Sequence, residues 1–164
     1  MVFHRSRALK GTGFAMREQF TAELKTAMKA GNKRRVDTIR LITAAVKDRE
    51  IDARGQGKEL TDGDILALLQ KMVKSRQESM EIYDTNGRPE LAQLEREEIA
   101  IIQEFLPKQM SEDEVKAAIA AAVAETGAAS IKDMGKVVGA LKAKYTGQMD
   151  FAKASVAVKG MLGG

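Results

Sequence analysis

The chain has no cysteine, no tryptophan, one histidine, two prolines and seven aromatic side chains in 164 residues. Without cysteine there are no disulfides, thiolate nucleophiles or zinc fingers, which fits an intracellular protein. The single histidine, His4, lies in a leader set apart from the fold below. Ser-His-Asp, Cys-His and His-rich metal constellations are thereby excluded. No Gly-x-x-x-x-Gly-Lys-Ser/Thr run occurs, and no Gly-x-Gly-x-x-Gly follows a strand. No apolar run is long enough to span a bilayer, so no membrane partner is expected. Neither a cofactor nor a metal ion is expected.

What is present reads as globular: 44% hydrophobic and 30% charged residues. The net charge of +4 is unevenly spread. Residues 1–15 hold Arg5, Arg7 and Lys10 and no acid, and Met16 looks like a natural start before an amphipathic helix. Residues 1–15 therefore read as a leader, a misassigned start or an expression remnant. The expected location is cytoplasmic, or the mitochondrial matrix if that basic leader is a presequence. Residues 16–110 balance, whereas 130–164 carry six lysines against Asp133 and Asp150. On this reading the basic character that a polyanion would feel lies in the last third.

Nearly every segment repeats at helical period and none alternates at period two. The junction is Phe105-Leu106-Pro107-Lys108-Gln109-Met110-Ser111. Pro107 cannot continue a helix, and Ser111-Glu112-Asp113-Glu114 forms a capping box for the next one. The expectation is an all-α protein of two subdomains: a four-helix unit over 16–108 and a three-helix bundle over 109–164. In the first, helices run from about 16 to 30, 33 to 53, 61 to 83 and 89 to 105. Phe20, Leu24, Ala27 and Met28 face inward on the first of these, and Leu91, Leu94, Ile101, Ile102 and Phe105 on the fourth. In the second, helices run from about 111 to 125, 130 to 145 and 150 to 162.

Folding a hairpin about Asn86-Gly87 brings Arg76 level with Glu97 and Glu98. An ion pair of Arg76 with Glu98, or with Glu97, is expected. Charge in a helical core can mark an active site. With no other catalytic group beside it, a structural pair is the better reading. Glu95, Glu97, Glu98 and Glu104 read as a solvated face paired with Arg96. Gly55-Gln56-Gly57-Lys58 lacks the strand and Ser/Thr of a phosphate loop and reads as a surface turn.

The sixth helix carries the one unusual surface. Met134, Val137, Val138, Leu141 and Tyr145 form its core face. The opposite side holds Lys132, Lys136, Gly139 and Ala143, with Gly135 at the border. Each interior glycine costs about 1 kcal/mol relative to alanine, so two of them one turn apart need a reason. A bare helix flank beside stacked lysines suits a phosphodiester backbone. It equally suits a close-packed protein helix with lysines snorkelling at the rim. Lys142, Lys144 and Lys153 would add field without forming a single stripe.

Four phrases resemble the YqeY family: Arg40-Leu41-Ile42-Thr43-Ala44-Ala45-Val46-Lys47, the run Ile65 to Arg76, the run Arg96 to Pro107, and Met134-Gly135-Lys136-Val137. The resemblance covers about residues 16–163. It implies kinship with the tail of the GatB polypeptide of the aspartyl/glutamyl-tRNA amidotransferase, hence two helical subdomains, the second a three-helix bundle. In that enzyme the tail helps to hold tRNA while other domains perform catalysis, and similar tails serve some glutaminyl-tRNA synthetases. Free-standing members are often described as carbon–nitrogen ligases with glutamine as amido donor. The glutaminase and kinase machinery has no counterpart in this sequence.

The resemblance tilts the sixth helix towards RNA. The leading expectation is a non-catalytic tRNA-binding accessory module with Lys132, Gly135, Lys136 and Gly139 at the contact, joined by Lys142, Lys144 and Lys153. The alternatives are a helical adaptor docking on an amidotransferase or aminoacyl-tRNA synthetase, and a partner-dependent carbon–nitrogen ligase.

Overall fold

The computed structural model describes residues 13–163, and the regular structure among them is helical throughout. Helices α1 (Phe14–Lys29), α2 (Lys33–Gly55), α3 (Asp62–Thr85) and α4 (Pro89–Gln103) belong to a first compact unit ending at Leu106. A second unit begins at Pro107 and holds α5 (Glu112–Thr126), a 3-10 turn (Ile131–Asp133), α6 (Met134–Tyr145) and α7 (Phe151–Gly163). The protein is all-α. No helix among the described residues is long and apolar enough to cross a membrane.

Local chemistry sets the helix ends. Thr61 and Ser111 each accept a hydrogen bond from the amide three residues on, Asp64 N and Glu114 N, both at 3.1 Å. The Asp64 and Glu114 carboxylates accept in return from the cap amides, completing two capping boxes. At the hairpin, Gly87 takes a φ of +69° and Arg88 N donates to Tyr83 O at 2.8 Å. That arrangement closes α3 and turns the chain directly into Pro89 at the start of α4.

The first core centres on Phe20, Ile39, Ile42, Ile65, Leu69 and Ile102, all essentially buried. Phe105, just beyond α4, sets its ring edge-on to Phe20 with centroids 5.1 Å apart. Two details depart from the sequence reading. Met28 is 54% exposed instead of inward. The innermost residues of α4 are Ala92, Ile99 and Ile102, with Leu91 and Leu94 only half-buried. α4 packs chiefly on α3.

The fold also begins before Met16. Residues 1–12 lie outside the described residues, but Phe14 and Ala15 belong to α1. Gly13 is buried at a φ of +74°, and a Cβ there would lie 2.7 Å from Ile65 Cδ1. Residues 13–15 are thus part of the fold. At the other junction, Pro107 and Lys108 fall in the second unit. Gln109 Nε2 donates to Pro107 O (3.0 Å) and Gly147 O (2.6 Å), and Met110 N donates to Gln148 O (2.9 Å). These bonds tie the connecting segment to the loop between α6 and α7.

Charges in the first unit pair across helices. Arg76 Nε lies 2.8 Å from Glu98 Oε2, with both side chains largely out of solvent. Arg34 reaches Glu97 at 3.2 Å and Glu98 at 4.0 Å, while Arg35 binds Glu23 at 2.9 Å and Glu104. Arg96 pairs with Asp84 at 2.6 Å across the hairpin and not with its neighbouring glutamates. The expected solvated face is therefore an interhelical lattice, because the register of α3 and α2 against α4 brings arginines from other helices to those acids.

Glu95 is the exception. It is half-buried, and burial first, then the nearby Glu98 charge, raise its carboxyl above the usual range against the pull of Arg76. A carboxyl raised on folding contributes stability below its unfolded pKa, and that contribution is lost as pH rises through the raised value. Ionised Glu95 is thus destabilising at neutral pH. Glu95→Gln keeps the shape and removes the charge. Its urea midpoint should exceed wild type at pH 7, with the gap closing as pH falls towards about 4.

Candidate nucleic-acid interface

The face expected on the sixth helix is assembled by its own start signal. Asp133 Oδ2 accepts from Ala129 N at 3.0 Å and from Ser130 N at 3.4 Å. Those two amides, Ala129 first, and then the positive charge of Lys136 hold the Asp133 carboxyl below its usual range. The chain winds first as a 3-10 turn, with Asp133 N donating to Ser130 O at 2.9 Å, before α6 proper begins at Met134. The predicted single helix from Ser130 is therefore two pieces, the first tightened by the aspartate clasp.

Packing then orients α6. Val137 and Leu141 are fully buried against Ile119, Ala154 and Val158, with Met134 and Tyr145 partly packed beside them. The opposite side is left outward. Lys132, Gly135, Lys136 and Gly139 are all exposed. A Cβ placed on Gly135 or Gly139 would meet nothing within 4 Å. The packing of the described residues therefore does not require glycine at either position.

The three outlying lysines separate. Lys142 is exposed and lies seven residues, two helical turns, beyond Gly135, so it shares that side. Lys144 Nζ is 3.1 Å from Glu125 Oε2 on α5, which compensates its charge. Lys153 is exposed on α7. The grouped residues are therefore Lys132, Gly135, Lys136, Gly139 and Lys142. Their chemistry is that of an anion surface: bare backbone for close approach, and ammonium groups without a general acid–base partner among them.

A family model described as Yqey-like protein matches residues 17–162. The chain belongs to the YqeY family. Among curated proteins it is similar to "Altered inheritance of mitochondria protein 41, mitochondrial" of Lachancea thermotolerans, 38% identical over 84 residues, which is 51% of this chain and 44% of that protein. The protein of the same name from Clavispora lusitaniae is 33% identical over 104 residues, covering 62% of this chain and 59% of the relative. The Eremothecium gossypii counterpart is 36% identical over 84 residues, 51% of this chain and 45% of its own length. The chain thus spans about half the length of the curated relatives it matches.

Elsewhere in this YqeY-family chain, a groove of about 280 Å³ is lined by Phe14, Arg17, Glu50, Arg54, Lys58, Glu59 and Leu60. Arg17 and Arg54 both reach Glu50 there, at 3.7 and 3.1 Å, so its charges largely satisfy one another. No group of three or more His, Asp or Glu among the described residues is arranged to hold a metal ion. Arg76 and Glu98 form an ion pair that extends to Met72 O and to Arg34. That is the environment of a structural pair.

The open glycines make a direct prediction about stability. Gly135→Ala and Gly139→Ala should each keep the fold and raise the stability of the second unit by up to about 1 kcal/mol. Urea unfolding followed by circular dichroism measures this. A loss of stability in either variant would mean that something already packs on that face.

Proposed function

We propose that the chain is a non-catalytic tRNA-binding accessory module, using the outward face of α6. What carries this reading is one observation: a glycine in the first turn of α6 and another in its interior stand in open space between exposed lysines, at positions where the fold itself would accept alanine. A residue placed in a helix against its own propensity needs a reason, and close approach of another backbone supplies one. Between a protein helix and a phosphodiester backbone, side-chain chemistry favours the latter. Lys132, Gly135, Lys136, Gly139 and Lys142 include no large apolar side chain to drive helix docking in water, and the three lysines offer the charge that phosphates require.

Aromatic residues are few, so recognition would rest on the shape and backbone of folded RNA and not on stacked bases. Few phosphate contacts imply modest affinity and a shallow salt slope. In this reading any amide transfer from glutamine is performed by a partner amidotransferase, with this chain assisting in holding tRNA. The names of the relatives place those proteins in mitochondria; the setting proposed here is the matrix or the cytoplasm, both of which contain tRNA.

Lys136→Glu should weaken tRNA binding on the order of tenfold at low salt, with helicity retained by circular dichroism. The difference should shrink as salt rises. Equal affinity of wild type and variant at low salt would remove α6 from the interface.

A further inference from the structure

The corner where α1 turns into α2 carries five cations and no acid between residues 24 and 36: Lys25, Lys29, Lys33, Arg34 and Arg35. Net charge conceals it, since this unit's acids and bases nearly cancel. The structure divides the five into two groups. Arg34 and Arg35 are committed to the fold through Glu97, Glu98, Glu23 and Glu104. Lys25, Lys29 and Lys33 are exposed, and no ion pair or hydrogen bond among the described residues engages their side chains.

Two of the three are at ordinary positions. Lys29 sits in the last turn of α1, where the helix dipole favours cations, and Lys25 lies one turn before it. Lys33 does not. It is the first residue of α2, followed by two arginines and by no acid in that first turn. Cations at a helix N-terminus oppose the dipole. The arginines gain interhelical carboxylates in exchange, but Lys33 gains no such partner among the described residues.

The turn between them is compact and bare. Gly31, at a φ of +67°, has no atom within 4 Å of where its Cβ would be. Asn32 caps α2 by accepting from Arg35 N at 3.1 Å, so the three ammonium groups flank a short, sterically open bend. Met28 is the one large apolar side chain exposed among residues 24–36. A single methionine supplies little insertion energy into a lipid surface, whereas three ammonium groups around an open turn suit successive phosphates.

We propose that this corner is a second phosphate-contacting surface, on the first unit, which engages RNA backbone. The inference rests on the RNA reading of α6 and extends it to a unit that the charge balance marks as scaffold. Contact here is with phosphates alone and carries no base preference.

The test uses the full chain and total tRNA in binding titrations over a range of salt. The variant is Lys25→Gln/Lys29→Gln/Lys33→Gln. A control, Lys47→Gln/Lys71→Gln/Lys116→Gln, removes three exposed lysines from elsewhere on the molecule. Circular dichroism verifies that both variants fold. The corner variant should bind less tightly, and its slope of log affinity against log salt should fall by about 2 to 3. The control should fall by less than about one. Equal slopes for corner variant and wild type, or equal losses in both variants, overturn the proposal while leaving α6 untouched. No tRNA binding by wild type at any salt defeats the RNA reading itself. Binding of the wild type, but not the corner variant, to vesicles of one-third phosphatidylserine, with tRNA slopes unchanged, would assign the corner to a membrane surface and overturn the RNA role.

Discussion

Everything in the organisation of this chain depends on one backbone constraint, the inability of Pro107 to continue the helix that precedes it. Proline has no amide to donate, and it drives the residue before it out of helical geometry. α4 therefore ends at Gln103 in a tightening turn, with Phe105 N donating to Ile102 O and Leu106 N to Gln103 O. That turn delivers Phe105 back to Phe20, sealing the first core. Beyond the proline the chain makes its next bonds with the loop between α6 and α7, and a separate core forms around Ile119, Val137, Leu141 and Val158. Two cores, each with its own pattern of charge, lie on either side of one residue that cannot donate.

Those patterns differ in kind. In the first unit, arginines from α2 and α3 meet glutamates from α1 and α4, so these arginine charges are matched between helices. In the second, α5 takes three of its four acids at the start, where the dipole favours them, and Lys144 pairs across helices with the fourth, Glu125. The other lysines of α6 remain outward. Overall net charge would suggest a weakly basic protein; the placement of charge is what gives α6 and the α1–α2 corner their character.

Much of this was legible in the sequence. Helical period, the two capping boxes, Asn86-Gly87 and Pro107 give the helices, their order and the hairpin, because each is a local signal acting on its own backbone. The level of Arg76 against Glu98 follows from counting back from the turn. What was not legible depends on partners distant in sequence. Alanine at 92 is fully buried on α4 while Leu91 and Leu94 are half-buried, and no pattern of leucines reports that. Arg96 belongs to Asp84, and Glu97 to Arg34, only once three helices are in register. Gly13 belongs to the fold because Ile65 abuts it, although the basic composition around it resembles a leader. The exposed lysines at 25, 29 and 33 were hidden for the same reason: a charge sum cannot tell a paired arginine from a solvated lysine.

The central claim is that the glycines of α6 serve an external backbone and not the protein's own packing. Amide chemical-shift mapping of the isotopically labelled chain during titration with tRNA tests it most directly. The account predicts the largest perturbations at residues 132–142, along the outward face of α6, with the amides of buried Val137 and Leu141 less affected. Saturable tRNA binding that leaves the amides of Lys132, Gly135, Lys136 and Gly139 unmoved would contradict it.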